Sequence, residues 1–233
     1  MRGDVGFPVR LRFTEHGKVR FVSHRDVARA FERAFRIEQL PIAFTQGFSP
    51  RPKVSFGLAL AVGHESDAEY LDLELAEPID PAALVEPLSA ALPEGIAVTG
   101  AAALADRAPA LQEAVTTLVW RLEVTTRTGE PAAPLALARV ASEALKAPAL
   151  PVMRTRKGRE AEEDIRPMLR RLELVEEGER GACLAVELST RPASVRPAEL
   201  LAAIGGDLVE HRTRRTHQWI ERGGVRLEPL DAD

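Results

Sequence analysis

Val9-Arg10-Leu11-Arg12-Phe13, then Ser23-His24-Arg25-Asp26 with Val27, Phe31, Ala34 and Phe35 beyond it, is the stretch on which the fold turns. The first five residues alternate apolar and polar, the period-two pattern of a half-buried strand. Ser23 stands where a helix N-cap belongs, and Asp26 occupies the acidic first turn. Val27, Phe31, Ala34 and Phe35 recur at helical spacing, so 24–38 is read as an amphipathic helix. Arg25, Arg29, Arg33 and Arg36 lie around its remaining sides. Between the two elements, Glu15-His16-Gly17-Lys18 reads as a turn and Val19-Arg20-Phe21-Val22 as a second alternating, extended run.

Working outward, Pro41-Ile42-Ala43-Phe44 suits a short strand, and Val54–Leu60 and Glu69–Leu75 read as strands. Asp80-Pro81 opens a second helix carrying Leu84, Leu88 and Leu92 on one face, and Gly95–Thr99 closes the half as a strand. Strand, helix, strands, helix, strand is a ferredoxin-like βαββαβ order. After an Ala/Pro-rich linker at about 101–113, the order repeats. Thr117–Val124 reads as a strand, Leu135–Leu145 as a helix, Val152–Arg156, Met168–Val175 and Leu184–Leu188 as strands, Ala198–Ile204 as a helix and Arg212–Ile220 as a last strand. The expectation is an α+β chain of two tandem ferredoxin-like units, 1–105 and 114–233.

The bulk chemistry narrows the class. The chain has 233 residues, 45% of them apolar, enough for two packed units. No run approaches the roughly 18 apolar residues of a membrane span, and Met1–Pro8 lacks the apolar core of a signal peptide. The only cysteine, Cys183, excludes a disulfide framework and any Cys-rich zinc or iron–sulfur site built from this chain alone. It sits in an apolar run and is read as core. A reducing cytoplasm is the expected location. The net charge of −4 hides a basic stretch, 1–60, with 11 Lys/Arg against 5 Asp/Glu, and an acidic one, 61–113, with 1 against 11.

Gln46-Gly47-Phe48-Ser49-Pro50-Arg51-Pro52-Lys53 is the leading candidate site. Gly47 permits backbone conformations that other residues avoid. Pro50 and Pro52 fix their own φ and push Ser49 and Arg51 into extended shapes. Arg51, Lys53, a hydroxyl and an aromatic face on a stiff segment suit a phosphate or a stacked base. The alternative is a rigid connection with solvated cations and Phe48 in the core. His24 and Arg25 fall in a helix first turn, where free N–H groups favour anions. Arg154-Thr155-Arg156-Lys157-Gly158-Arg159 could embrace a nucleic-acid backbone or form a solvated hairpin tip. On the last strand, alternation puts His211, Thr213, Arg215 and His217 on one side as a cationic stripe, unless the strand is a charge-protected edge. Gly63-His64-Glu65 has no third ligand placed by spacing, so no metal site is predicted. Walker, GxGxxG, GxSxG and HExxH motifs are absent from the sequence.

Arg12-Phe13-Thr14, Lys18 to Asp26, Gln46 to Phe56 and Glu69-Tyr70-Leu71-Asp72 together resemble the bacterial radical-SAM-linked protein family, a domain of unknown function. Asp164-Ile165-Arg166-Pro167 extends the likeness. The resemblance implies a companion, a radical S-adenosylmethionine enzyme fused to such a domain or encoded beside it. With one cysteine this chain needs no cofactor of its own on that reading; the iron–sulfur cluster and S-adenosylmethionine belong to the partner. Family members near ribosomal-protein and ribonuclease genes point to RNA. The element order is also similar to that of CRISPR RNA-processing endoribonucleases, but their C-terminal glycine-rich loop is missing, and Gly223-Gly224 does not replace it. Three readings result. The first is a non-catalytic accessory subunit binding or presenting RNA through His24, Arg25, Gln46, Phe48, Ser49, Arg51 and Lys53, with Arg154, Arg156, Lys157 and Arg215. The second is an endoribonuclease or RNA-modifying enzyme using His24 or His217. The third is an adaptor docking through the acidic 61–113 stretch.

Overall fold

The computed structural model of the chain describes residues 6–105, 108–156, 158–175 and 183–232. The fold is α+β, and the chain divides into two compact units. One runs to Val115 and takes the chain back from Gln218; the other is Thr116–His217. Residues 218–233, assigned on sequence to the second unit, thus belong to the first.

The first unit begins with strand β1 (Phe7–Glu15), helix α1 (His24–Ile37), strand β2 (Val54–Phe56) and strand β3 (Glu65–Leu75). Helix α2 (Val85–Ala91), strand β4 (Ile96–Ala103) and a short helix α3 (Leu111–Ala114) follow. The strands lie in the order β4-β1-β3, with β2 also on β3, and these pairings are all antiparallel. Leu11 and Phe13 of β1 and Leu71, Leu73 and Leu75 of β3 point to one face of the sheet and are buried there. Val27, Phe31, Ala34 and Phe35 of α1 and Leu84, Leu88 and Leu92 near α2 complete that core. Phe13 and Phe31 meet edge to face at 4.8 Å, a favoured aromatic geometry.

Val19-Arg20-Phe21-Val22 is not a strand. Gly17–Phe21 is a 3-10 turn, with Val22 N donating to Val19 O at 2.9 Å. Four alternating residues cannot reach a partner strand when Gly17 turns the chain at φ +68° and His16 N is held by Gly95 O. The strand expected over Val54–Leu60 stops at Phe56, and Pro41–Phe44 makes only isolated bridges. The linker expected at 101–113 is partly β4 and partly α3.

The second unit contains β5 (Thr117–Thr126), α4 (Pro134–Lys146), the hairpin β6 (Pro151–Arg156) and β7 (Arg159–Asp164), then β8 (Leu169–Val175), β9 (Cys183–Ser189), α5 (Pro197–Ile204) and the first part of β10 (Leu208–Arg222). Its sheet order is β10-β5-β9-β8. The segment 152–156, expected in that sheet, pairs only with β7 as a separate two-stranded sheet. Asp164 caps the return: its Oδ1 accepts from Leu150 N at 2.7 Å and Arg166 N at 2.9 Å. Arg166 donates to Leu145 O and Leu169 O. Asp164 and Arg166 thus brace a turn.

From Gln218 the chain is part of the first unit. Gln218 Nε2 donates to Ala68 O of β3 at 2.7 Å. Strand β11 (Val225–Leu227) pairs with the end of β10, and Pro229–Asp231 forms a 3-10 turn over the second face of the first sheet. That face carries a buried cation. Arg10, 1% exposed, sits opposite Asp72 in the β1–β3 register. Its Nε and Nη2 donate to both Asp72 oxygens at 2.7 and 2.9 Å, and Nη1 donates to Pro229 O at 3.0 Å. Nearby Arg12 reaches Glu228 at 3.5 Å. Burial pushes the Tyr70 phenol well above its ordinary value, and its oxygen has no hydrogen-bond partner among the described residues.

Removing one member of a buried, hydrogen-bonded ion pair strands the other and costs about 3–5 kcal/mol. Asp72 is 22% exposed and partly reached by water, so Arg10→Ala is expected to lower unfolding free energy in urea by up to that amount. Arg29→Ala, which deletes an exposed pair with Asp26 at 3.0 Å, is expected to cost under about 1 kcal/mol. Equal losses in the two variants would contradict the role given to Arg10.

Candidate functional site

The loop 46–53 is suspended from the sheet by a short ladder. Ala43 N donates to Glu74 O, Lys53 N to Ala43 O, and Glu74 N to Lys53 O, at 2.8 to 3.0 Å. Thr45 N donates to Arg51 O at 2.8 Å, and Arg51 N donates back to Thr45 Oγ1 at 3.0 Å. Phe44 bridges Pro52. Residues 46–50 are thus the tip of a two-stranded stalk, turned at Gly47 with φ +129°. An L side chain there would be strained.

The tip carries its side chains outward. Phe48 is wholly exposed, at 111% of its reference area, so it is not core. Gln46, Ser49 and Arg51 are exposed as well. The Arg51 side chain has no hydrogen bond or ion pair among the described residues. Lys53 differs: its Nζ lies 2.7 Å from Glu74 Oε1, so this cation is held against β3.

Helix α1 is sharply two-faced. Arg25, Arg29, Arg33 and Arg36 follow one another at intervals of four, four and three residues, which places them on one stripe. All four are exposed, opposite Val27, Phe31 and Ala34. Arg33 and Arg36 have no ion-pair partner among the described residues. His24 lies on the other flank, its ring edge-on to Phe56 at 5.2 Å. Ser23 caps the helix: Asp26 N donates to Ser23 Oγ at 3.3 Å, and Ser23 Oγ donates to Asp26 Oδ2 at 2.7 Å. The Ser23 hydroxyl, with Arg29 beside it, holds the Asp26 carboxyl below the ordinary carboxylate range.

Between the end of α1 and the base of the stalk lies a groove of about 630 Å³. Phe35, Leu40, Pro41, Ile42, Phe44 and Pro52 form its walls, with Glu32, Arg36 and Gln39 at the rim. Among the described residues Gln39 is the non-glycine residue with a left-handed backbone, at φ +50°. The groove joins the helix stripe to the loop through Arg36, a connection that residue spacing alone did not single out.

The remaining sequence candidates lie in the second unit. Arg154 is clamped internally: it holds both Glu199 oxygens at 3.0 and 3.1 Å, Glu163 at 3.0 Å and Ser194 O at 2.7 Å. With its side chain 9% exposed, its donors face inward. The Arg156 side chain and Lys157 lie outside the described residues. Arg215, read as part of an exposed cationic stripe, is 2% exposed, and its guanidinium lies 4.7 Å from the Trp120 ring centroid. Thr213 is buried too, so the middle of the stripe faces the interior, while His211 is exposed and His217 half-buried. His217 Nδ1 is 3.1 Å from Thr216 Oγ1.

Fold and site together define an α+β protein with a stiff, aromatic-tipped loop and an arginine stripe on one unit. The chain belongs to the family described as uncharacterized protein conserved in bacteria, DUF2344, whose model matches residues 9–197. That span holds α1, the loop and the groove. No curated protein matches the sequence.

Ser23→Ala is expected to weaken the α1 cap by about 0.5–2 kcal/mol. Because the folded Asp26 value is depressed, its contribution is present above the unfolded carboxylate value of about 3.9 and is lost as pH falls through the lower folded value. Asp26→Asn should therefore flatten the acid limb of a stability–pH profile; an unchanged limb would rule out this carboxylate as a contributor.

Proposed function

We propose that this chain is a non-catalytic RNA-binding protein, presenting RNA to a radical S-adenosylmethionine enzyme that carries the iron–sulfur chemistry. One observation carries the RNA reading. Arg25, Arg33, Arg36 and Arg51 stand exposed on the same unit as a wholly exposed Phe48, on a helix and a stalk already fixed by capping and backbone hydrogen bonds. Fixed cations lose less freedom on binding, and an aromatic at the tip offers a stacking face. The partner follows from the family resemblance. The ferredoxin-like reading of both units is supported by their strand orders, β4-β1-β3-β2 and β10-β5-β9-β8, each with a helix after its first and third strand. A single buried thiol suits a reducing cytoplasm.

The other two readings have less behind them. For an enzyme, the His24 ring packs edge-on to Phe56 and makes no hydrogen bond to an acid or a hydroxyl among the described residues. For an acidic docking face, Glu65, Asp72 and Glu74 are already paired with Arg20, Arg10 and Lys53.

The test is titration of the chain with bulk cellular RNA across a salt series. Arg33→Ala with Arg51→Ala removes two cations without touching the core. If each meets a phosphate, the log–log salt slope becomes shallower by roughly 1.4, about 0.7 per contact on single strands, and affinity falls. An unchanged slope and affinity would sink the assignment. Affinity purification from native cells should return RNA together with a radical S-adenosylmethionine enzyme; the enzyme recovered alone after full washing would favour the adaptor.

A further inference from the structure

The groove beside the arginine stripe has the chemistry of a nucleobase pocket, and we infer that the ligand is single-stranded RNA with one unstacked base seated there. This rests on the RNA reading and narrows it. The volume, about 630 Å³, lies within the range of small-ligand sites. Leu40, Phe44 and Pro52 supply apolar walls, and Phe44 stays 54% exposed although it stands in a closed bridge with Pro52. An exposed ring beside a groove is a stacking surface lacking its second layer.

The rim supports a base over a phosphate. The groove opens at the C-terminal end of α1, where the helix dipole places partial negative charge and disfavours anions. The same end attracts the N–H edge of a base. The Glu32 carboxylate accepts such donors, the Gln39 amide both donates and accepts, and Arg36 donates or stacks. None of the three side chains is committed to a partner among the described residues. Gln39 is also held at φ +50°, a conformation that costs free energy in a non-glycine residue and clusters at binding sites. Phosphates belong instead along Arg25, Arg29 and Arg33, nearer the helix start. A duplex fits poorly, because its bases are stacked inside and cannot enter a side groove.

The experiment compares three ligands by fluorescence anisotropy with the full chain. They are a short labelled single-stranded RNA, the same strand annealed to its complement, and the same strand with abasic sites. The wild type should bind the intact single strand about tenfold or more tightly than either comparator, the size of one lost stack. Phe44→Ala should bring the three affinities close together while the salt slope stays the same. Glu32→Ala, an exposed change on the rim, should reduce the preference even where Phe44→Ala disturbs folding. Equal wild-type affinity for strand and duplex, with salt-dependent binding intact, would overturn the pocket and leave the groove to a protein segment. A preference that survives both substitutions would do the same. Absence of salt-dependent binding to all three would overturn the RNA reading together with the pocket.

Discussion

The buried Arg10 guanidinium and the half-buried Asp72 face each other across β1 and β3 in a bidentate pair, with Arg10 also tied to Pro229 O, and the first unit depends on that contact. A buried guanidinium costs several kcal/mol to desolvate unless its donors are met. Here two other segments meet them: β3 through Asp72 and the returning C-terminal turn through Pro229 O. Slipping β1 by one residue would point Arg10 into the apolar face with Leu11 and Phe13 and leave Asp72 unmatched. The pair thus specifies register more than it adds stability. Register in turn places Glu74, whose backbone and side chain both hold Lys53 at the foot of the loop.

This pairing also explains the uneven charge of the sequence. A basic stretch is followed by an acidic one because the two fold against each other. Arg20 meets buried Glu65, His16 Nε2 lies 3.2 Å from Asp67, Arg10 meets Asp72, and Lys53 meets Glu74. Neutralisation across the sheet leaves an unpaired remainder on α1 and the loop tip. Surface cations that are not spent on the fold are the ones available to a polyanion. The net charge of the whole chain conceals this, since it averages paired and unpaired groups alike.

What sequence reading caught and missed follows the same division. The alternation of β1, the capped helix at Ser23 and the Pro-stiffened loop were legible because each is fixed by neighbours in sequence. Spacing does not reveal that Arg154, Arg215 and Lys53 are held, because their partners, Glu199, Trp120 and Glu74, come from other strands and helices. Val19–Val22 alternated too briefly to force a strand. The last strand misled for another reason: its buried positions run Thr213, Arg215, then Gln218 and Ile220, a slip of one residue. A strict alternation carried through that slip assigns the wrong face. The groove was invisible because its walls come from two segments separated by the loop's own geometry.

Phe48 stays in water although burial would favour it. A phenyl ring gains free energy when it leaves water, and a short loop next to an apolar groove has somewhere to put one. The stalk prevents that. Its ladder from Ala43 to Lys53 and its turn at Gly47 hold the tip away from the core, while Pro50 and Pro52 remove the freedom needed to fold inward. The same rigidity that keeps Phe48 in water keeps Arg51 beside it. A flexible loop would bury the ring and scatter the cation, and would have to reverse both on meeting a ligand. Folding has already met that ordering cost here, with β3 as the anchor, so the free energy of contact at the tip goes into binding.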